Sequence, residues 1–214
     1  MKIIELNGLP GCGKSTYSSD IISGLKEKTD HVLSSDSFYS IENKKILIVE
    51  ALKYAAGRRF LMETLKLLLQ LRLLFKADIA KRMVYCLAYI GYYYSIKKAD
   101  GYLVMDEGII QGFISALYNY NDRIPDFSGL VTSLHNLNII FVHVGISPEE
   151  ASERIKKRNS AGHGRCDDLC ENERRPILQH QYGNFKAINS ILEEKEKYVY
   201  ISEKKDLQRL IETV

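Results

Sequence analysis

The sequence predicts an α/β fold in which a mostly parallel sheet of about five strands is covered by helices on both faces. Short apolar, β-prone runs recur at Lys2–Asn7, His31–Ser35, Tyr102–Met105, Asn138–Val144 and Tyr198–Ser202, and helical patterns lie between them. Strands spaced by helices need crossover connections, the arrangement of a parallel sheet buried on both sides. The stretch from about 43 to 98 shows no strand pattern and reads as one long helical insertion.

In chain order, the first run leads straight into glycines, and Tyr17–Lys28 then has helical spacing. Asn43–Ala56 reads as a helix, Gly57 as a break, and about Arg58–Phe75 and Ile79–Lys97 as two further helices. Ile109–Tyr118 resumes a helix after the third strand, and Asn119–Ser128, with Asn, Asp and Pro, reads as a loop. Asn138–Val144 is the plainest strand of the chain, and Pro148 is placed to open the helix that continues through Glu149–Lys157. Two glycines break the pattern within Asn159–Arg165. Asp168–Glu196 is largely helical, and Lys204–Thr213 closes the chain as a helix.

The 214 residues, 45% of them hydrophobic, can bury a sizeable core and read as one domain over 1–214. Four scattered cysteines, Cys12, Cys86, Cys166 and Cys170, suit a reducing compartment better than a disulfide scaffold. The start, MKIIELNGLPG, reaches a glycine turn after a few apolar residues and so predicts no export signal. Leu65–Phe75 and Met83–Ile96 are too short or too interrupted by charge to span a membrane. A cytoplasmic protein is expected. Basic residues outnumber acidic ones by only 30 to 27, yet between Lys53 and Lys98 ten basic residues stand against Glu63 and Asp78.

Gly8-Leu9-Pro10-Gly11-Cys12-Gly13-Lys14-Ser15 matches G-x-x-x-x-G-K-[ST] and lies between a strand pattern and a helix pattern, as its mechanism requires. Glycines let successive backbone N–H groups turn toward a polyphosphate, and the following helix start adds free donors and a favourable dipole. The nucleotide-binding set is therefore Gly8, Pro10, Gly11, Cys12, Gly13, Lys14, Ser15 and Thr16. Lys14 is expected at the β- and γ-phosphates of ATP, and the Ser15 hydroxyl on Mg²⁺. Tyr102–Met105 ends in Asp106-Glu107 at the sheet edge where this loop opens. Asp106 is expected to hold Mg²⁺ through water. Glu107 can orient a nucleophile, complete the metal shell or accept hydrogen bonds from the loop. The expected fold is thus of the three-layer P-loop NTPase type. The guanine-specifying N/T-K-x-D pattern and the signature segment of transporter ATPases are absent.

On these residues the chain resembles the P-loop kinase group that includes thymidylate, adenylate, gluconate and uridine kinases. GLPGCGKST resembles the group's phosphate loop, and Asp36-Ser37-Phe38-Tyr39 is similar to the acid-led segment after the second strand of uridine kinases. Glu153–Arg158, the glycines beyond it, Arg165 and the region of Tyr182 resemble the lid and following helix of thymidylate kinases. The resemblance covers most of Met1–Gly57 and Tyr102–Ile201. It implies an ATP-dependent phosphotransferase acting on a nucleoside, nucleotide or sugar-type metabolite. Asp36 would take the proton of an attacking hydroxyl. A lid over about 154–172 would bring Arg154 and Arg158, four apart on a helix, to the donor phosphates. Lys156, Lys157, Arg174 and Arg175 read as surface. Where a thymidylate kinase carries Asp-Arg after its third strand, this chain has Asp106-Glu107-Gly108, which argues against a nucleotide acceptor unless Arg58 or Arg59 supplies the cation. The alternative is a regulatory or assembly ATPase that hydrolyses ATP in response to a macromolecule.

His163, Cys166 and Cys170 fall in the lid, but a close Cys-x₂-Cys pair and a fourth zinc ligand are missing. Cys12 at a helix start can be an acidic, oxidisable thiol or a small loop residue, and Cys86 on an apolar helix reads as core. In the basic belt, Tyr85, Tyr89, Tyr92, Tyr93 and Tyr94 crowd together. They suit an acceptor pocket that stacks a ring, a homodimer surface, a contact with nucleic acid or anionic membrane, or plain core filler.

Overall fold

The computed structural model describes residues 1–73, 76–118, 124–158, 166–194 and 198–214. Strands β1 (Lys2–Asn7), β2 (Val32–Ser34), β3 (Tyr102–Met105), β4 (Ile139–Val144) and β5 (Tyr198–Ile201) form one sheet in the order β2-β3-β1-β4-β5. Every pairing is parallel; Ile4, for example, stands beside Val104 on one side and Ile140 on the other. The helices are α1 (Lys14–Lys26), α2 (Asp36–Tyr39), α3 (Lys44–Lys53), α4 (Ala55–Gln70), α5 (Ala77–Ile96), α6 (Ile109–Ala116), α7 (Ser128–Ser133), α8 (Pro148–Lys157), α9 (Glu171–Glu193) and α10 (Lys204–Thr213).

The sheet divides the apolar residues into two cores. Ile4, Leu6, Val104, Val142 and Val144 meet Ile21 and Leu25 of α1 and Leu207, Leu210 and Ile211 of α10. Ile3, Leu103, Met105, Ile139 and Phe141 face the larger core, built with α3 to α7 and α9. Burial on both faces is why these strands read as continuous apolar runs rather than alternating ones. Local chemistry fixes several ends. Ser147 accepts the Glu150 backbone N–H at 3.1 Å, and Pro148 opens α8 where no N–H donor is needed. Glu203 and Asp206 form a reciprocal cap on α10.

The insertion is helical, as expected, but it breaks elsewhere. Tyr54, with extended backbone (φ −94°, ψ 146°), separates α3 from α4, and Gly57 lies inside α4. Gly57 is there for close packing, since a Cβ would collide with the Ala51 carbonyl. Gly91 does the same where α5 crosses α3 against Leu47. Of the loop read over 119–128, residues 119–123 lie outside the described residues, and a short α7 starts at Ser128. The long helix α9 starts at Glu171 rather than Asp168 and runs through Pro176. Among the described residues, no helix is long and apolar enough to cross a membrane.

Candidate active site

The turn after β1 has the shape its glycines allow. Gly8, Gly11 and Gly13 have φ of 151°, 83° and 96°, values that side chains rarely tolerate, and Gly13 caps α1 in the left-handed region. Gly8 also lies so close to β4 that a Cβ would stand 2.6 Å from the Val144 carbonyl oxygen. Lys14 Nζ donates to the carbonyls of Gly8 at 3.1 Å and Leu9 at 3.3 Å, which holds the ammonium over the loop.

Beside this loop is a cavity of about 480 Å³ lined by Pro10, Gly11, Gly13, Lys14, Ser15 and Thr16. Across from them it is lined by Asp106, Glu107, Arg82 and Arg158. Parallel pairing of β1 with β3 places the phosphate loop and the acid pair at the same sheet edge. A second cavity of about 450 Å³ is lined by Tyr39, Asp78, Lys81, Tyr85, Tyr89 and Gly112. Arg82, Glu107 and Ser115 line both cavities.

Ser35 Oγ donates to Asp106 Oδ1 at 2.6 Å and so fixes that carboxylate from the next strand. Mg²⁺ usually keeps several waters and needs only one or two carboxylates besides substrate phosphates. Ser15 and Asp106 on one cavity therefore fit this ion without an all-protein cage.

Other predicted residues are placed differently. Gly8 and Cys12 do not line the cavity. Gly8 N donates to the buried Gln111 Oε1 at 3.1 Å, while Cys12 turns its side chain into the smaller core, a small loop residue rather than an exposed thiol. Asp36 lies exposed at the start of α2, accepts the Ser34 hydroxyl at 3.1 Å and lines neither cavity. Of Arg154 and Arg158, Arg158 lines the cavity and Arg154 does not. Arg154 pairs with Glu150 at 2.7 Å and donates to the Cys12 carbonyl at 3.3 Å. Arg158 ends α8, where ψ of 109° turns the following chain out of the helix, and it lines the cavity. Arg174 is not a surface residue. It is 6% exposed and donates to the carbonyls of Cys166, Ser152 and Leu169. Arg58 caps the end of α3 through the carbonyls of Leu52 and Lys53 instead of reaching the site.

The tyrosine cluster divides by role. Tyr85 and Tyr89 line the second cavity, and Tyr92 meets Ser37 Oγ at 2.7 Å. Tyr94 stacks on Tyr54, and Tyr93 donates to Glu5 at 3.1 Å. Glu5, buried in the central strand, also accepts the Ile110 N–H at 2.7 Å at the start of α6. Burial pushes its carboxyl up to about 7, against the pull of these hydrogen bonds. Nearby on β4, His143 meets Asn7 Oδ1 at 2.8 Å, and burial, with the Lys14 charge adding to it, lowers its pKa to about 4. Of the three lid residues considered for zinc, His163 lies outside the described residues. Cys166 is buried against the Tyr118 hydroxyl, and Cys170 caps α9 together with Glu173.

No protein-family model matches the chain, and no curated protein does. Among solved structures it is similar to the deoxyadenosine kinase of M. mycoides. With bound dATP that enzyme gives a TM-score of 0.51 at 17% identity, over 100% of this chain and 98% of that one. With bound dCTP the values are 0.49 and 15%, over 99% and 97%. With dCMP and a flexible dCDP they are 0.47 and 17%, over 99% and 95%. The likeness to the dATP-bound structure is one of fold, in this chain a five-stranded parallel sheet covered by helices.

Proposed function

We propose that this chain is an ATP-dependent small-molecule kinase, and that its acceptor is a nucleoside-like hydroxyl compound. The observation that carries this reading is the junction of two cavities. One is bounded by the phosphate loop, the other by tyrosines and charged residues of α5, and they share Glu107. A hydrolase needs room for water alone, whereas the second cavity has the size and the aromatic lining of a small-molecule pocket. The fold shared with a deoxyadenosine kinase supports a nucleoside acceptor. Four free, scattered cysteines support a cytoplasmic setting.

In this reading the loop N–H groups and Lys14 bind the ATP phosphates, and Ser15 and Asp106 hold Mg²⁺, which neutralises phosphate charge when bound. Arg158 adds positive charge to the same cavity. The acceptor ring lies against Tyr85 and Tyr89, with Asp78 available to accept its hydrogen bonds. Glu107 takes the proton of the attacking hydroxyl, a role supported by its place in the lining of both cavities, whereas Asp36 lines neither. A carboxylate there would repel an acceptor phosphate, which favours nucleosides over nucleotides.

The test is an ATP-dependent phosphorylation screen over nucleosides, nucleoside monophosphates and sugars, with Lys14→Ala as the control. Transfer to a nucleoside that is lost in the folded control supports the reading. ATP turnover that responds to a macromolecule and to none of these acceptors would replace it with the regulatory ATPase.

A further inference from the structure

The end of β3 offers this site only negative charge, from Asp106 and Glu107, yet transfer between the two cavities develops charge on the oxygens of the moving phosphoryl group. Lys14 and Arg158 line the phosphate-loop cavity but not the acceptor cavity. Among the described residues, Arg82 is the cation that lines both. It projects from α5, one helical turn from Asp78 and Tyr85, which line the acceptor side, and it is partly buried. Among the described residues neither Arg82 nor Glu107 takes part in a hydrogen bond or ion pair through its side chain, although the two border the same junction.

A guanidinium left uncommitted at the mouth of two cavities gains little for the fold. Its five donors suit the planar, bidentate recognition of phosphate oxygens. We infer that Arg82 is a catalytic residue of the phosphoryl transfer, supplied by the helical insertion to bridge donor and acceptor. The inference rests on the kinase reading above. As the acceptor oxygen bonds to the γ-phosphorus, the bond from that phosphorus to the β,γ-bridging oxygen breaks and ADP leaves. The hydroxyl proton passes to Glu107 and then to solvent. Arg82 holds the equatorial oxygens of the group in flight, so its contribution is larger in the transition state than in the bound ATP complex. The inference also gives the insertion a chemical role: α5 contributes the acceptor pocket and the cation in one piece, so acceptor binding and charge stabilisation are assembled together.

The experiment compares the parent with Arg82→Ala and Arg82→Lys, measuring ATP affinity with a fluorescent ATP analogue and transfer to the best nucleoside of the screen at saturating acceptor. Arg82→Ala is expected to lower kcat by about a hundredfold, with ATP affinity near parental and partial recovery on adding guanidinium ion at millimolar concentration. Arg82→Lys should recover little, because a point charge does not reproduce the fork. A folded Arg82→Ala protein with parental kcat overturns the inference and leaves the kinase reading standing. A kcat loss matched by an equal loss of ATP affinity, with no rescue by guanidinium, also overturns it and assigns Arg82 to the shape of the site. Absence of transfer by the parent itself overturns the kinase reading and this role with it. If the alanine variant fails to fold, parental kcat in folded Arg82→Lys overturns the inference.

Discussion

Ser35 Oγ and Asp106 Oδ1 meet at 2.6 Å across the ends of β2 and β3, so the carboxylate proposed for Mg²⁺ is oriented by a hydroxyl from the neighbouring strand. Groups that orient a metal-binding carboxylate matter to affinity although they do not touch the ion. Ser35→Ala is expected to raise the Mg²⁺ concentration for half-maximal transfer by about tenfold, with kcat near parental at saturating Mg²⁺. A magnesium titration checks this. An unchanged midpoint would show that Asp106 needs no such support or holds no metal.

Glu107 and Asp36 make a discriminating pair. Glu107 lines both cavities, whereas Asp36 lines neither and accepts from Ser34. Glu107→Gln keeps the shape and removes the proton acceptor, so transfer should fall by about a hundredfold with ATP binding little changed. Asp36→Asn retains the contact with Ser34 and should transfer at a near-parental rate. The reverse ranking, at saturating acceptor, would restore Asp36 as the base.

Arg154 of α8 and Arg158 at its end separate in the same way. Arg154 donates to the Cys12 carbonyl of the loop, while Arg158 lines the cavity. Arg154→Ala should weaken ATP binding and transfer together, since it acts through the shape of the loop. Arg158→Ala should lower transfer more than binding, as expected for charge felt most in the transition state. Binding isotherms beside steady-state kinetics decide between them, and identical profiles would count against the division.

What the sequence revealed follows from the range of the interactions. The strands were legible because a sheet buried on both faces makes short, unbroken apolar runs, and Tyr102–Met105 falls where that pattern predicts. Helix α8 was legible through Pro148 at its first position, and α10 through its helical spacing. The α3–α4 break was not: Gly57 is a strong breaker in isolation, yet it lies inside α4, packed closely against Ala51. The phosphate loop is contiguous and so stood out at once. Ser35, Arg82 and Gln111 gave no local signal, because each acquires its place from a partner or cavity wall far along the chain. The basic, tyrosine-rich belt pointed to α5 without saying which of its residues face the site.

Glu5 offers the prediction with the clearest sign. Its carboxyl is fully buried, accepts from Ile110 N and the Tyr93 hydroxyl, and is raised from an ordinary 4.5 to about 7. Below pH 4.5 the folded and unfolded chains both hold this proton, and Glu5 adds no pH dependence. Between pH 4.5 and 7 the unfolded chain releases the proton while the folded one retains it, so stability falls as pH rises through this window. Above pH 7 both are ionised, and the loss levels off at about 3 kcal/mol. Glu5→Gln is neutral at every pH. Its amide oxygen can still accept from Ile110, and its amide nitrogen can donate to the Tyr93 oxygen. The variant should therefore match the parent near pH 4.5 and exceed it increasingly up to pH 8, measured as the difference in urea unfolding free energy at each pH. Groups elsewhere titrate alike in both proteins and cancel from that difference. A difference that stays constant with pH would mean that Glu5 titrates in the folded protein as it does in the unfolded chain, and that α6 and Tyr93 stabilise the anion enough to offset its burial.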